Sequence, residues 1–247
     1  MKDDKQTYIL HLADTTLILG HRNSEWCGHG PILEQDIAIT NISLDLIGQA
    51  RNFYQYAAAL DGGNVTEDSF AYHRDANEFL NLLLVEQPNG DWAVTILRQY
   101  LFSSYQKLLF EHLANSSDDQ LAAIAVKALK EITYHLRWSS EWVIRLGDGT
   151  EESQTRINTA VKKLWPYTAE LFTSLPFEKT FYPADVAAAI KTTWLEQVQR
   201  VFSEATLELP QLTNAASKSG KQGEHEFLQE LLGEMQSLPR AYPDAIW

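Results

Sequence analysis

From Leu33 to Leu60 the chain carries no proline and a single glycine, Gly48, in a run dense in Leu, Ile and Ala. A stretch like that has few alternatives to one long helix. Its apolar residues, Leu33, Ile37, Ile39, Ile42, Leu44, Leu46, Ile47, Phe53 and Tyr54, fall on nearly every side. A helix apolar all round is expected at the centre of a bundle rather than on its surface. Asn41, Asp45, Gln49 and Asn52 recur at four, four and three residues and form a polar stripe on one face. On a buried helix such a stripe needs a metal, partner side chains or water to satisfy it.

The rest of the chain patterns the same way. Helices are expected over 5–22, 67–87 and 91–114, the last capped by Asp91. Ser117 and Gln120 have the spacing of a capping box for a helix reaching Leu146. A helix over 151–174 should be interrupted at Pro166, and Pro183 suits the start of one ending before Pro210. The polar stretch 211–223 reads as a loop and 224–238 as a short last helix. No segment alternates with period two for long enough to be a strand, and no domain boundary or repeat stands out. The expectation is all-α: one domain over 1–247, an antiparallel bundle of long helices with flanking ones.

Composition narrows the function classes. The formal net charge of −13 argues against nucleic acid or an anionic membrane as the main partner. Hydrophobic residues at 45% and charged ones at 21% fit an ordinary globular protein. The single cysteine, Cys27, allows no internal disulfide and suits a reducing cytoplasm. The start MKDDKQTY has no signal-peptide apolar core behind it, and no apolar run is long enough to span a bilayer.

A polar stripe inside a long-helix bundle first suggests a carboxylate-bridged dimetal site. Such sites take a Glu-x-x-His pair from each of two helices. The residues three before His11, His21, His29, His73, His112, His135 and His225 are Tyr8, Ile18, Trp26, Phe70, Leu109, Ile132 and Gln222. None is acidic, so the motif is absent. Glu131 is followed by Tyr134 where the histidine belongs, and Asp45 by Gly48. One reading is a dimetal oxidase with non-standard ligands from Asp45, Glu131 and His135. The favoured one is a metal-free internal network of Asn41, Asp45, Lys127, Glu131 and His135, in which lysine replaces the metal cation. Cys27 and His29 in EWCGHG are too few for a structural zinc site.

Three segments carry a family resemblance, in order: LGHRNSEWCGHGPILEQDIAITNISLDLIGQARNFYQYAA, NEFLNLLLVEQPNGDWAVTILRQY and KALKEITYHLRWSSEWVIRLGDGTEES. Together they resemble the PaaC-type subunit of the bacterial phenylacetyl-CoA epoxidase complex. The resemblance implies a ferritin-like fold and a non-catalytic role beside a homologous PaaA-type subunit that carries the di-iron site. It also implies a small bridging subunit and a reductase with FAD, iron–sulfur and NADPH. No cofactor is implied for this chain itself. The reaction implied for the complex is ring 1,2-epoxidation of phenylacetyl-CoA with oxygen. By the same likeness Glu78, Phe79, Leu80 and Asn81, and Lys179, Thr180 and Phe181, stand near the CoA thioester, with ordinary packing as the alternative. A helical acyl-CoA-binding module remains a further alternative for the whole chain.

Overall fold

The computed structural model describes residues 4–62, 65–212, 219–243 and 245. Among them every regular element is helical, so the all-α expectation holds and suits a ferritin-like bundle. No helix among the described residues is long and apolar enough to cross a membrane. Part of the expected loop 211–223, residues 213–218, lies outside the described residues. The chain forms two compact units: residues 1–30, 34–88 and 218–247, and residues 31–33 and 89–217.

In the first unit, α1 (Asp4–Ser24) and α2 (Leu33–Leu60) run antiparallel. The Gln6 amide donates to the Ala57 carbonyl at 3.1 Å, and the Tyr54 hydroxyl to Asp14 at 2.6 Å. Gly20 permits the close crossing: a Cβ there would meet Ile47 Cγ1 at 3.0 Å and the Ser43 carbonyl at 3.3 Å. The sequence places α2 at the centre, and the structure reverses this. Sixteen of the 21 residues of α1 are buried, against ten of the 28 on α2. Ile37 and Leu44 of α2 are 52% and 62% exposed. Thus α1 is the central helix of this unit, although His11, Asp14, Thr15 and Thr16 make it look amphipathic.

The expected helix over 67–87 is also corrected. Only α3 (Glu67–Tyr72) and α4 (Leu83–Glu86) are α-helical. Between them lie a 3₁₀ turn, Ala76–Glu78, and an extended passage from Phe79 to Leu82. Near the end of the chain α9 (Leu228–Met235) and α10 (Ser237–Ala241) replace the single helix expected over 224–238.

The second unit is built on α5 (Trp92–Leu113), 17 of whose 22 residues are buried. It packs against α6 (Asp119–Gly147), α7 (Glu151–Leu164) and α8 (Ala184–Glu204). Asp91 caps α5 as expected, accepting the Val94 N–H at 3.1 Å. The cap of α6 is Asp118, not Ser117: its carboxylate accepts the Leu121 N–H at 2.9 Å. α7 gives way to a 3₁₀ segment, Trp165–Phe172, at the expected Pro166. The core of this unit is aromatic. Trp165 stacks on Trp194 with centroids 5.6 Å apart, and Phe172 lies 5.2 Å from Trp194. Tyr105 meets Phe172 and Tyr182 edge-on.

Candidate functional site

The break between α3 and α4 has a physical cause. An extended passage frees backbone N–H and C=O groups that a helix would pair internally, and buried ones must find other partners. Here charged side chains supply them. On α1, Asp14 is completely buried and faces this passage. Its carboxylate accepts the Leu80 N–H at 2.8 Å and the Tyr54 hydroxyl. It also accepts two bonds from the Arg74 guanidinium, one of them at 3.1 Å. Arg74 in turn donates to the carbonyls of Phe70 at 2.7 Å and Glu78 at 2.9 Å, and stacks 4.2 Å from the Phe79 ring centroid. Burial works against the Arg74 charge, but Asp14 outweighs it and raises the guanidinium pKa above its ordinary value. Burial and the same carboxylate push the Tyr54 phenol well up.

Six residues downstream of Leu80 stands a second buried carboxylate, Glu86. It accepts from His225 Nδ1 at 2.7 Å and the Asn81 amide at 3.1 Å. The Glu226 and Phe227 N–H groups approach it at 3.0 and 3.3 Å. The other ring nitrogen of His225 lies 2.9 Å from the Phe79 carbonyl. A carbonyl and a carboxylate only accept, so this geometry favours a proton on both ring nitrogens, the imidazolium form of His225. Burial opposes that charge, but the Glu86 carboxylate prevails and raises the His225 pKa. Burial likewise opposes the Glu86 charge, yet bonds from His225 and the backbone N–H of Glu226 hold its pKa below the usual value. Arg22 of α1 completes the clasp, donating to the carbonyls of Glu86 at 3.0 Å and Phe227 at 3.2 Å. Close by, His11 gives its Nδ1 proton to the Leu80 carbonyl at 2.6 Å. Burial, then the Lys221 charge, pull its pKa down to about 3, so it is neutral.

Chemically, this cluster can hold but is poorly placed to react. Each of its two carboxylates is met by four donors from the protein, which leaves little room for a metal ion or a substrate proton. Among the described residues no group of three His, Cys, Asp or Glu is placed to hold a metal.

The residues that the sequence singles out are distributed as follows. Phe79 and Asn81 are fully buried in the cluster just described, and Leu80 gives both its backbone groups to it. Glu78 is exposed and accepts the Asp75 N–H at 2.8 Å. In the second unit, Lys179 and Thr180 are exposed. Phe181 is 8% exposed, and its carbonyl lies 3.0 Å from His112 Nε2. Asn41 and Asp45 stand on α2 in the first unit; Lys127, Glu131 and His135 stand on α6 in the second. Of these five only His135 is buried; Asn41 and Lys127 are exposed, and Asp45 and Glu131 half-buried. Tyr134, where a Glu-x-x-His pair would need its imidazole, is 38% exposed. The donor set for two metals of that kind does not fit this chain.

None of Asp14, Arg74, Glu86 and His225 emerges from spacing alone. The signal for two of them is a lone carboxylate inside an apolar run, Asp14 in HLADTTLIL and Glu86 in LLLVEQ, because acids are rarely buried unpaired.

Clefts also open on the first unit. One, of about 680 Å³, is lined by Leu17, Tyr54, Glu67, Asp68, Glu234 and Tyr242 among others. Another, of about 580 Å³, lies between the Asp75–Asn77 turn and the α9–α10 segment.

Comparison with known proteins gives two findings. The model of the phenylacetic acid catabolic protein family matches residues 1–247. The chain is 47% identical over 244 residues to the C subunit of the 1,2-phenylacetyl-CoA epoxidase of Escherichia coli (strain K12), covering 97% of this chain and 98% of that relative.

Proposed function

The chain belongs to the phenylacetic acid catabolic protein family, and from that premise we propose that it is the non-catalytic C-type subunit of a cytoplasmic 1,2-phenylacetyl-CoA epoxidase. It pairs with and supports a homologous subunit that carries the di-iron site. The small bridging subunit and a reductase with FAD, iron–sulfur and NADPH complete the complex. The chain itself binds no metal. One observation carries this reading: the chain has no Glu-x-x-His anywhere, whereas a dimetal site of the bundle type needs two. What its own residues do is hold shape. The Asp14–Arg74 and Glu86–His225 clasps fix the passage 74–88 and the segment after Ser219 onto α1.

The acyl-CoA-module alternative has the larger cleft in its favour, since 680 Å³ is ligand-sized. Its wall argues against it. Glu67, Asp68 and Glu234 line the cleft, and Arg51 there is paired with Glu67 at 2.8 Å. A polyphosphate would meet net negative charge.

The test is co-expression with the di-iron subunit, followed by size exclusion and an epoxidation assay. The reading expects a stable complex whose activity falls when this chain is withheld. A chain that stays monomeric, with full activity in its absence, contradicts it.

A further inference from the structure

Along α6 one stripe faces outward for most of the helix. Lys127, Lys130, Tyr134, Arg137, Glu141 and Arg145 are all exposed and follow one another at three or four residues. At the helical rise, Lys127 to Arg145 spans about 27 Å. The stripe carries four cations and one carboxylate, in a chain whose formal charge is −13. Among the described residues none of these four cations has a carboxylate within ion-pair distance, although the chain holds 33 Asp and Glu. By contrast Arg22, Arg51, Arg74, Arg156 and Arg240 have acidic partners, although among the described residues Arg200, Lys162, Lys179 and Lys191 also have no ion pair; what sets the stripe apart is that its four cations share one helix face.

The guanidiniums lie on rings instead. Arg137 sits 5.9 Å from the Tyr134 centroid and Arg145 5.4 Å from that of Trp142. A cation–π contact uses the face of the guanidinium's charge and leaves its N–H groups available to a carboxylate. Arg, Tyr and Trp are the residues that carry most binding energy at protein interfaces. Val126, 51% exposed, and Tyr134 add apolar surface beside the charges.

We propose that the stripe Lys127–Lys130–Arg137–Arg145 on α6 is a docking surface for an acidic protein face belonging to another component of the epoxidase complex. The inference rests on the function proposed above and names a surface for it. Nucleic acid and anionic lipid fit less well, because their extended charge would face the whole chain's −13. One helix face over about 27 Å is small, which suits a transient, electrostatically steered contact at the low end of interface sizes.

The test uses the full-length chain and the other components of the complex, each purified separately, with binding measured across a salt series. Two variants are compared with the native chain: K130E/R137E/R145E, and the milder K130Q/R137Q/R145Q in case the reversal disturbs folding. Unchanged circular dichroism and thermal midpoint qualify each variant. The expected result is one component whose affinity falls about tenfold or more in the reversal variant, less in the neutral one, and steadily with salt. Equal affinity for native and variant chains overturns the docking surface and leaves the proposed function standing. A native chain that binds no component overturns both. Stripe-dependent binding to phosphatidylserine vesicles or to RNA, with the protein components unaffected, also overturns it.

Discussion

The two units solve burial in opposite ways. In the first, the central helix α1 buries charge: Asp14 against Arg74, with Glu86 and His225 alongside. In the second, the central helix α5 is lined by rings, with Trp165, Trp194, Phe172 and Tyr105 packed in sequence. The difference follows from the backbone. The long helices of the second unit satisfy their own N–H and C=O groups, so rings fill much of the space between them, and the one charge that α5 buries, Arg98, donates to the Asn89 side chain at 2.5 Å. The passage 73–88 in the first unit is largely non-helical, and its carbonyls and amides need charged partners from elsewhere. In the first unit, the buried carboxylates Asp14 and Glu86 mark the place where the helical ladder is interrupted.

The hardest blow to this contrast is struck at Asp14. Asp14→Ala strips the acceptor from Arg74, Tyr54 and Leu80 at once, and about 3–5 kcal/mol of stability should be lost in denaturant titration. An isolated buried ion pair can be exchanged for apolar residues at little cost. The D14L/R74M double variant should not recover in that way, because the Leu80 N–H and the Phe70 and Glu78 carbonyls lose their partners too. Near-native stability in the double variant would break the comparison.

The aromatic side should be more forgiving. Trp194→Phe keeps a ring but removes the indole N–H bonded to the Leu101 carbonyl at 3.2 Å, and should cost about 1–3 kcal/mol in the same titration. A loss as large as that of Asp14→Ala would erase the distinction.

A third, smaller effect depends on pH. The folded pKa of His225 is raised above 6.5, so its contribution is full below 6.5 and lost as pH rises through the raised value. That of Glu86 is lowered below 4.5, so its contribution is full above 4.5 and lost as pH falls through the lowered value. The pair therefore contributes fully between 4.5 and 6.5. His225→Gln should narrow the stability gap to the native chain as pH rises above 6.5, read from thermal midpoints across a pH series. A gap independent of pH would contradict the imidazolium. The smallest effect belongs on the surface. Glu111→Gln removes an exposed pair with Lys107 on α5 and should change stability by only about 0.3–0.5 kcal/mol.

The helices that satisfy themselves were legible in the sequence: α2, α5, α6 and α8 lie close to where Gly, Pro and capping residues punctuate the chain. The passage 67–87 was not. Phe70, Phe79, Leu80, Leu83 and Leu84 imitate a helical stripe, and the break depends on Asp14, which is 66 residues from the Leu80 amide it accepts. Local periodicity carries no trace of such a partner. The burial of α2 is hidden for a related reason, since its outward Ile37 and Leu44 look like core residues. An unpartnered apolar face is what a subunit of a larger assembly leaves exposed. As for the site, the missing Glu-x-x-His was plain from the sequence, whereas the clasp joining Glu86 to His225, 139 residues apart, could only come from the fold.

The central claim is that this chain supports chemistry carried by another subunit, and metal content tests it most directly. The chain would be expressed alone in iron-replete medium, purified without chelator and analysed for iron and manganese, with its folding checked by circular dichroism. The account predicts well-folded protein with far less than one metal per chain, and stoichiometric iron only in its complex with the di-iron subunit. Near-stoichiometric metal in the isolated chain, lost on Glu131→Ala, would contradict the account and make this chain a catalyst in its own right.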